Sequence, residues 1–159
     1  MKEHYGCKVA MKSPAHITLV APFSTDADTL KNVEALLQNF VQIQIPLEIE
    51  VGGFGSFDKR VIFLKVKENH LLNSCYNKLN HEMHAQLPEL IRLEKRRFHP
   101  HITIANRDIP LSGFKDAFAY FNSINYNANF TAHKITLLQL EPDKWKTKAD
   151  FLLKGIDGL

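Results

Sequence analysis

At 159 residues the chain is long enough for one ordinary domain with a buried core and too short for two independent ones. Its 45% hydrophobic and 23% charged residues exclude intrinsic disorder, and no apolar run approaches the ~18 residues of a membrane span. A net charge of +3 suits an anionic substrate without demanding one, and two cysteines outside any CxxC pair, Cys7 and Cys75, exclude a disulfide scaffold. With no apolar signal region after Met1 and thiols suited to a reducing compartment, the expected location is the cytoplasm.

Residues 1–12 are polar and without pattern. Residues 15–21 (Ala-His-Ile-Thr-Leu-Val-Ala) predict a strand stopped by Pro22. Cap candidates between Ser24 and Asp28 precede Leu30, Val33, Leu36, Leu37 and Phe40, which recur at helical spacing. Alternation of Ile43, Ile45, Leu47, Ile49 and Val51 predicts a half-buried strand over 42–51, and Gly52-Gly53-Phe54-Gly55 predicts a turn or loop. Residues 60–67 predict a second strand. Asn69 is placed to cap a helix carrying Leu71, Leu72, Cys75, Leu79 and Met83 to about residue 86. A basic connection over 87–99 leads to a strand over 100–105, then a short helix from about 112 to 122. Residues 126–140 predict one strand or two with a bend, and residues 147–154 a last strand. The mixture, with hairpin-like neighbours and no Pro/Gly/Ser-rich linker, predicts an α+β fold rather than a doubly wound parallel sheet.

One feature repeats. His16-Ile17-Thr18-Leu19 recurs as His101-Ile102-Thr103-Ile104, each copy close behind a proline, Pro14 or Pro100. Strand side chains alternate, so His and Thr of each copy face one way and the aliphatic pair the other. The aliphatic pair holds each strand on a core. If two related lobes face each other, the polar pairs meet in one cleft. Cleaving a phosphodiester requires taking a proton from the attacking oxygen and giving one to the leaving oxygen. Histidine, with an ordinary pKa of ~6.5, does either at neutral pH. Threonine hydroxyls two residues on suit the non-bridging oxygens. The competing role for a lone histidine is a satisfied strand residue, but packing alone gives no reason to keep His and Thr together twice.

These paired motifs resemble those of the 2H phosphoesterase superfamily, and its 2′-5′ RNA ligase-like (LigT-like) branch in particular. Ser13-Pro14-Ala15-His16-Ile17-Thr18-Leu19 with Pro22-Phe23 is similar to the first motif region, and Phe98-His99-Pro100-His101-Ile102-Thr103-Ile104-Ala105 to the second. The Gly/Phe-rich stretch leading into a strand over 53–66 shares the resemblance. It implies a single α+β domain over 1–159, made of two interlocked lobes with antiparallel sheets, flanking helices, a pseudo-two-fold axis and a central cleft. It implies a cyclic phosphodiesterase hydrolysing 2′,3′-cyclic phosphates or 2′-5′ bonds of RNA or nucleotides, with 2′-5′ ligation as a further activity and no metal or cofactor. His16 and His101 would be the acid–base pair, and Thr18 and Thr103 the phosphate-holding pair. Family members usually carry a strand and most of a helix before the first motif, where this chain has residues 1–12. The expectation is a sheet short of one strand, a sheet completed by a partner chain, or a sequence that begins late, which leaves the oligomeric state open.

Among other candidates, Arg92, Lys95, Arg96 and Arg97 form a basic run suited to phosphates or simply to solvent, and Arg107 lies just beyond the second motif. Arg97 and Arg107 are the substrate-binding candidates of this group. Phe54 and Phe57 are candidates for stacking on a base, with core packing as the competing role. Gly52, Gly53 and Gly55 complete neither a GxGxxG motif nor a P-loop. His99 and His101 lack a third metal ligand, and His81-Glu82-Met83-His84 has the wrong spacing for HExxH, so no metal site is expected. Two other functions compete with the enzyme. One is an RNA- or nucleotide-binding module with little turnover. The other is an interaction protein with the histidines in its core.

Overall fold

The structure, a computed structural model, describes residues 12–106 and 110–155. Helix α1 (Ala27–Phe40) starts at Asp26, whose carboxylate accepts from the Thr29 and Asp28 amides at 2.8 and 2.9 Å. Those bonds, Thr29 foremost, hold the Asp26 carboxyl below the usual carboxylate range. The stripe Val33, Leu36, Leu37 and Phe40 is buried, as its spacing requires. The helix tightens into a 3-10 turn over Val41–Ile43.

Strand β1 (Leu47–Phe57) therefore begins later than alternation predicts. Ile43 belongs to the 3-10 turn, and Pro46 has no N–H to give a ladder, so Ile43 and Ile45 stay exposed. The strand also runs further than predicted. Gly52-Gly53-Phe54-Gly55 is not a turn but the interior of β1, where the pairing register slips between Val51 and Phe54. Gly53 (φ 66°) absorbs the extra residue as a bulge, so the ladder resumes at Phe54. The reversal comes at Asp58 and Lys59, both in the left-handed region, with the Arg60 amide donating to the Phe57 carbonyl at 2.9 Å.

Strand β2 (Val61–Val66), helix α2 (His70–Gln86), strand β3 (His101–Asn106) and helix α3 (Leu111–Ser123) follow as predicted within a residue or two. Asn69 caps α2: its side-chain oxygen accepts from the Leu72 amide at 2.9 Å while its amide donates to the Glu48 carbonyl at 2.7 Å. The β-rich stretch resolves into β4 (Asn127–Ala132) and β5 (Lys134–Glu141), and β6 (Lys144–Leu152) both starts and ends earlier than the predicted 147–154.

Sheet one is antiparallel with order β3-β2-β1-β4, and β5 pairs with β6 alone among the described residues. Asp150 joins that hairpin across its face, accepting from Lys134 and Thr136 at 2.6 Å each, which lowers its pKa. The main core draws on both sheets and both long helices: Leu47, Ile49, Val51, Phe54 and Leu64 meet Val33, Phe40, Leu72, Leu79, Met83 and Phe151. A second cluster packs α3 through Phe114 and Ala117 on Ile62 and Ala105. This is an α+β fold. No helix among the described residues is long and apolar enough to cross a membrane.

Two outcomes follow from this core. Leu79, 1% exposed, loses its packing in Leu79→Ala, and urea unfolding should show a stability loss of about 2–5 kcal/mol. Burial pushes the Cys75 thiol up to about 11, with Lys78 drawing it partly back. The thiolate is the reactive form, so in a Cys7→Ser variant Cys75 should resist alkylation at pH 8 until the protein is unfolded.

Candidate active site

The first motif segment is not the regular strand its pattern predicts. Only Ile17 pairs, through a single antiparallel bridge to Ile102 of β3. Two local reasons keep it from extending. Pro14 and Pro22 bracket the segment without N–H donors, and the Leu19 carbonyl is taken by the Asn80 side chain of α2 at 2.9 Å. Asn80 is 9% exposed, and its amide also donates to the Tyr76 carbonyl at 2.8 Å.

The bridge joins the two copies of the repeat at their equivalent isoleucines and in opposite directions. Antiparallel register then sets His16 beside Thr103 and Thr18 beside His101. Ile17 and Ile102 turn to the core, and the four polar residues share the other face. Diagonal neighbours in such a pair lie about 7–8 Å apart, the relation of His16 to His101. His16 and Thr18 are exposed, and His101 and Thr103 half-buried. This exposure overturns the reading in which the histidines belong to the core.

Both imidazoles are held the same way. His16 Nδ1 lies 2.7 Å from the Pro14 carbonyl, and His101 Nδ1 lies 2.7 Å from the His99 carbonyl, two residues back in each case. A carbonyl only accepts, so Nδ1 carries the proton and Nε2 of each neutral ring is left with its lone pair. The prolines that precede each motif are not equivalent, since Pro14 supplies the carbonyl whereas Pro100 sits between donor and acceptor.

The His101 ring rests on two phenylalanines, with centroids 5.0 Å from Phe57 and 5.1 Å from Phe63. Those rings stack on each other at 4.3 Å. Phe63 is buried yet belongs to neither apolar cluster, because it is sealed on the polar face by Phe57, His99 and His101. Gly55 makes the space: a Cβ there would fall 2.5 Å from the Phe63 ring. Phe57 therefore reaches the site. Phe54 does not: the bulge turns it to the opposite face, where it is 6% exposed against Phe121 at 5.2 Å and Tyr126 at 6.3 Å. Its predicted role in substrate binding is corrected to core packing. Arg97 projects into solvent, its guanidinium 3.5 Å from the Glu68 carboxylate. Arg107 lies outside the described residues.

Two residues that matter here were missed from sequence. Lys65 is directly opposite His101 in the β2–β3 ladder and exposed on the same face, with its Cε beside Gly55. Alternation gave its face, but only the register gives its neighbour. Asn80 was hidden as one polar residue in an apolar helical stripe. Tyr76, one turn earlier on α2, stacks on Phe98 at 3.8 Å with the rings 8° apart, just ahead of the second motif. Helix α2 thus fixes the backbone beside both motifs. Among the described residues no group of three His, Cys, Asp or Glu side chains is arranged to hold a metal ion.

Solved structures share this fold. A Thermus thermophilus crystal structure superposes with a TM-score of 0.68 at 20% identity, covering 89% of this chain and 79% of that one. A crystal structure titled as a phosphoesterase gives 0.63 at 20% identity, over 87% and 76%. In sequence, a Geobacillus kaustophilus protein named "putative phosphoesterase" is 31% identical over 89% of this chain and 80% of its own length. A Bacillus subtilis protein named RNA 2′,3′-cyclic phosphodiesterase is 30% identical over 62% of this chain and 55% of its own. The family model of the 2′-5′ RNA ligase superfamily matches residues 1–144. The chain belongs to that superfamily and is a phosphoesterase of the two-histidine (2H) class.

Asn80→Ala should cost about 1–3 kcal/mol in urea unfolding, because two carbonyls lose a buried donor. Hydrogen exchange at residues 16–20 should accelerate more than in β1. Uniform acceleration would assign Asn80 to general stability alone.

Proposed function

We propose that the protein is a metal-independent phosphodiesterase that hydrolyses 2′,3′-cyclic phosphate or 2′-5′ phosphodiester bonds of RNA or nucleotides. The observation that carries this reading is the antiparallel meeting of the two His-x-Thr motifs, each histidine held at Nδ1 by its own backbone. The name of the Bacillus subtilis relative supports the cyclic phosphate as a substrate.

A phosphate seated over the bridge has one imidazole Nε2 on either side. One Nε2 takes the proton of a water molecule as its oxygen attacks phosphorus. The other, protonated, gives its proton to the departing 3′ oxygen. The P–O3′ bond breaks, the P–O bond to water forms, and a 2′-phosphomonoester with a free 3′ hydroxyl leaves. Each histidine ends in the other's starting state, so one proton must pass through solvent before the next turnover. Thr18 and Thr103 donate hydroxyls to the non-bridging oxygens, and Lys65 beside His101 offsets their charge. A 5′ hydroxyl in place of water gives a 2′-5′ linkage by the same transfers, which is ligation without a nucleotide cofactor. Phe57 supports the His101 ring rather than the phosphate.

With both protons handled by imidazoles, hydrolysis of the four nucleoside 2′,3′-cyclic phosphates should persist in EDTA. His16→Ala and His101→Ala should each lower kcat by about 10²–10⁴-fold. The pH–rate profile should be bell-shaped, its two limbs belonging to the pair rather than to either residue. Turnover that survives both substitutions would reject the mechanism. Binding of nucleotides without any turnover would favour the RNA- or nucleotide-binding module.

A further inference from the structure

The face of sheet one that carries the motifs continues past them. Across it, Thr18 faces His101, His101 faces Lys65, and Gly52 faces Asn127, so one row crosses the segments from the first motif to β4. The next row pairs Glu50 with Asn129, and Lys67 completes it with Nζ 2.9 Å from the Glu50 carboxylate. Lys67 also donates its amide to the Glu50 carbonyl at 2.8 Å, which keeps it in the sheet. From β3 to β4 is three strand spacings, about 14 Å.

Between Lys65 and Asn127 the floor of this row is bare backbone. Gly52 and Gly53 occupy it through the bulge. A Cβ on Gly52 would collide with the Asn127 side-chain oxygen, so that amide lies across the β1 backbone. A Cβ on Gly53 would meet nothing within 4 Å, so the space above it is open. Beside it is a depression of about 220 Å³ lined by Glu50, Val51, Lys67, Asn127, Ala128 and Asn129. The Glu50–Lys67 pair leaves this lining without net charge. Its remaining capacity is that of the two asparagine amides, which donate and accept together; Asn127 gives one N–H to the Asn125 side-chain oxygen at 2.9 Å and keeps the other.

We propose that this depression, beside the glycine bulge of β1, is the subsite for the nucleobase of the substrate, with Asn127 and Asn129 reading the edge of the base; the proposal rests on the phosphodiesterase reading above. A phosphate held between His16 and His101 projects its nucleoside along the row past Lys65. A flat ring can pass over Gly53, where no side chain stands in its way, and a net-neutral lining with amide donors and acceptors suits a heterocycle better than a further phosphate. The neighbouring row, which runs from His16 through Thr103, is closed by Phe63 over Gly55.

The test separates the base from the phosphate by NMR titration of the full chain with three probes: nucleoside 2′-monophosphates, ribose 2-phosphate and inorganic phosphate. Nucleotides should shift both the His16 and His101 imidazole signals and the Asn127 and Asn129 side-chain amides. Ribose 2-phosphate and phosphate should shift the imidazoles alone. Nucleotides should also bind about tenfold more tightly than ribose 2-phosphate, and Asn127→Ala with Asn129→Ala should remove that difference. Nucleotides that move the imidazoles but not the two amides, or an affinity difference that survives the double substitution, would overturn the subsite and leave the histidine mechanism standing. Nucleotides that move neither set would overturn both.

Discussion

The site rests on a single main-chain contact, the bridge between Ile17 and Ile102. Because it is antiparallel and joins equivalent residues, it relates the two motifs by a local two-fold axis. No separate device is needed to bring His16 and His101 to the same face. The same contact turns both isoleucines into the core, so the burial that holds the segments together also aims the polar residues outward. One bridge is a weak tether, and α2 makes up for it. Asn80 holds the Leu19 carbonyl on one side, and Tyr76 stacks on Phe98 on the other. The buried stripe of α2 then secures both anchors to the body of the protein.

Sheet one is a boundary between two chemistries, and the bulge at Gly52–Gly53 decides where it falls. Before it, Leu47, Ile49 and Val51 face the core. After it, Phe54 does, although a regular strand would have turned Phe54 outward. The slip buries Phe54 and leaves Gly55 under Phe63, whose ring in turn supports His101. A backbone irregularity in β1 thus reaches a histidine two strands away through a stack of rings.

Much of this was legible in the sequence. The helices followed from their stripes and caps, with Asp26 and Asn69 in place, because both signals are local. The paired motifs followed from repetition, and alternation set the polar face of each. What failed depended on partners distant in the chain. The first motif reads as a strand, but its carbonyl goes to a helix side chain 61 residues away. The glycine run reads as a turn, but with β2 and β4 on either side a positive φ becomes a bulge. Phe54 and Phe57 look alike in sequence, and only the slip in register sends one to the core and the other to the site. Lys65 required knowing which residue of β3 lies opposite.

The way the two rings are anchored has a consequence for how this sequence can drift. Each Nδ1 proton is engaged by a main-chain oxygen, one belonging to a proline and the other to a histidine. Every residue type carries that oxygen, so the acceptor is indifferent to the side chain at positions 14 and 99. Sites that orient a histidine with a carboxylate can be broken by one codon change in the orienting residue. Here the tautomer is inherited from the path of the chain, and substitutions at the two acceptor positions leave it untouched as long as that path is kept.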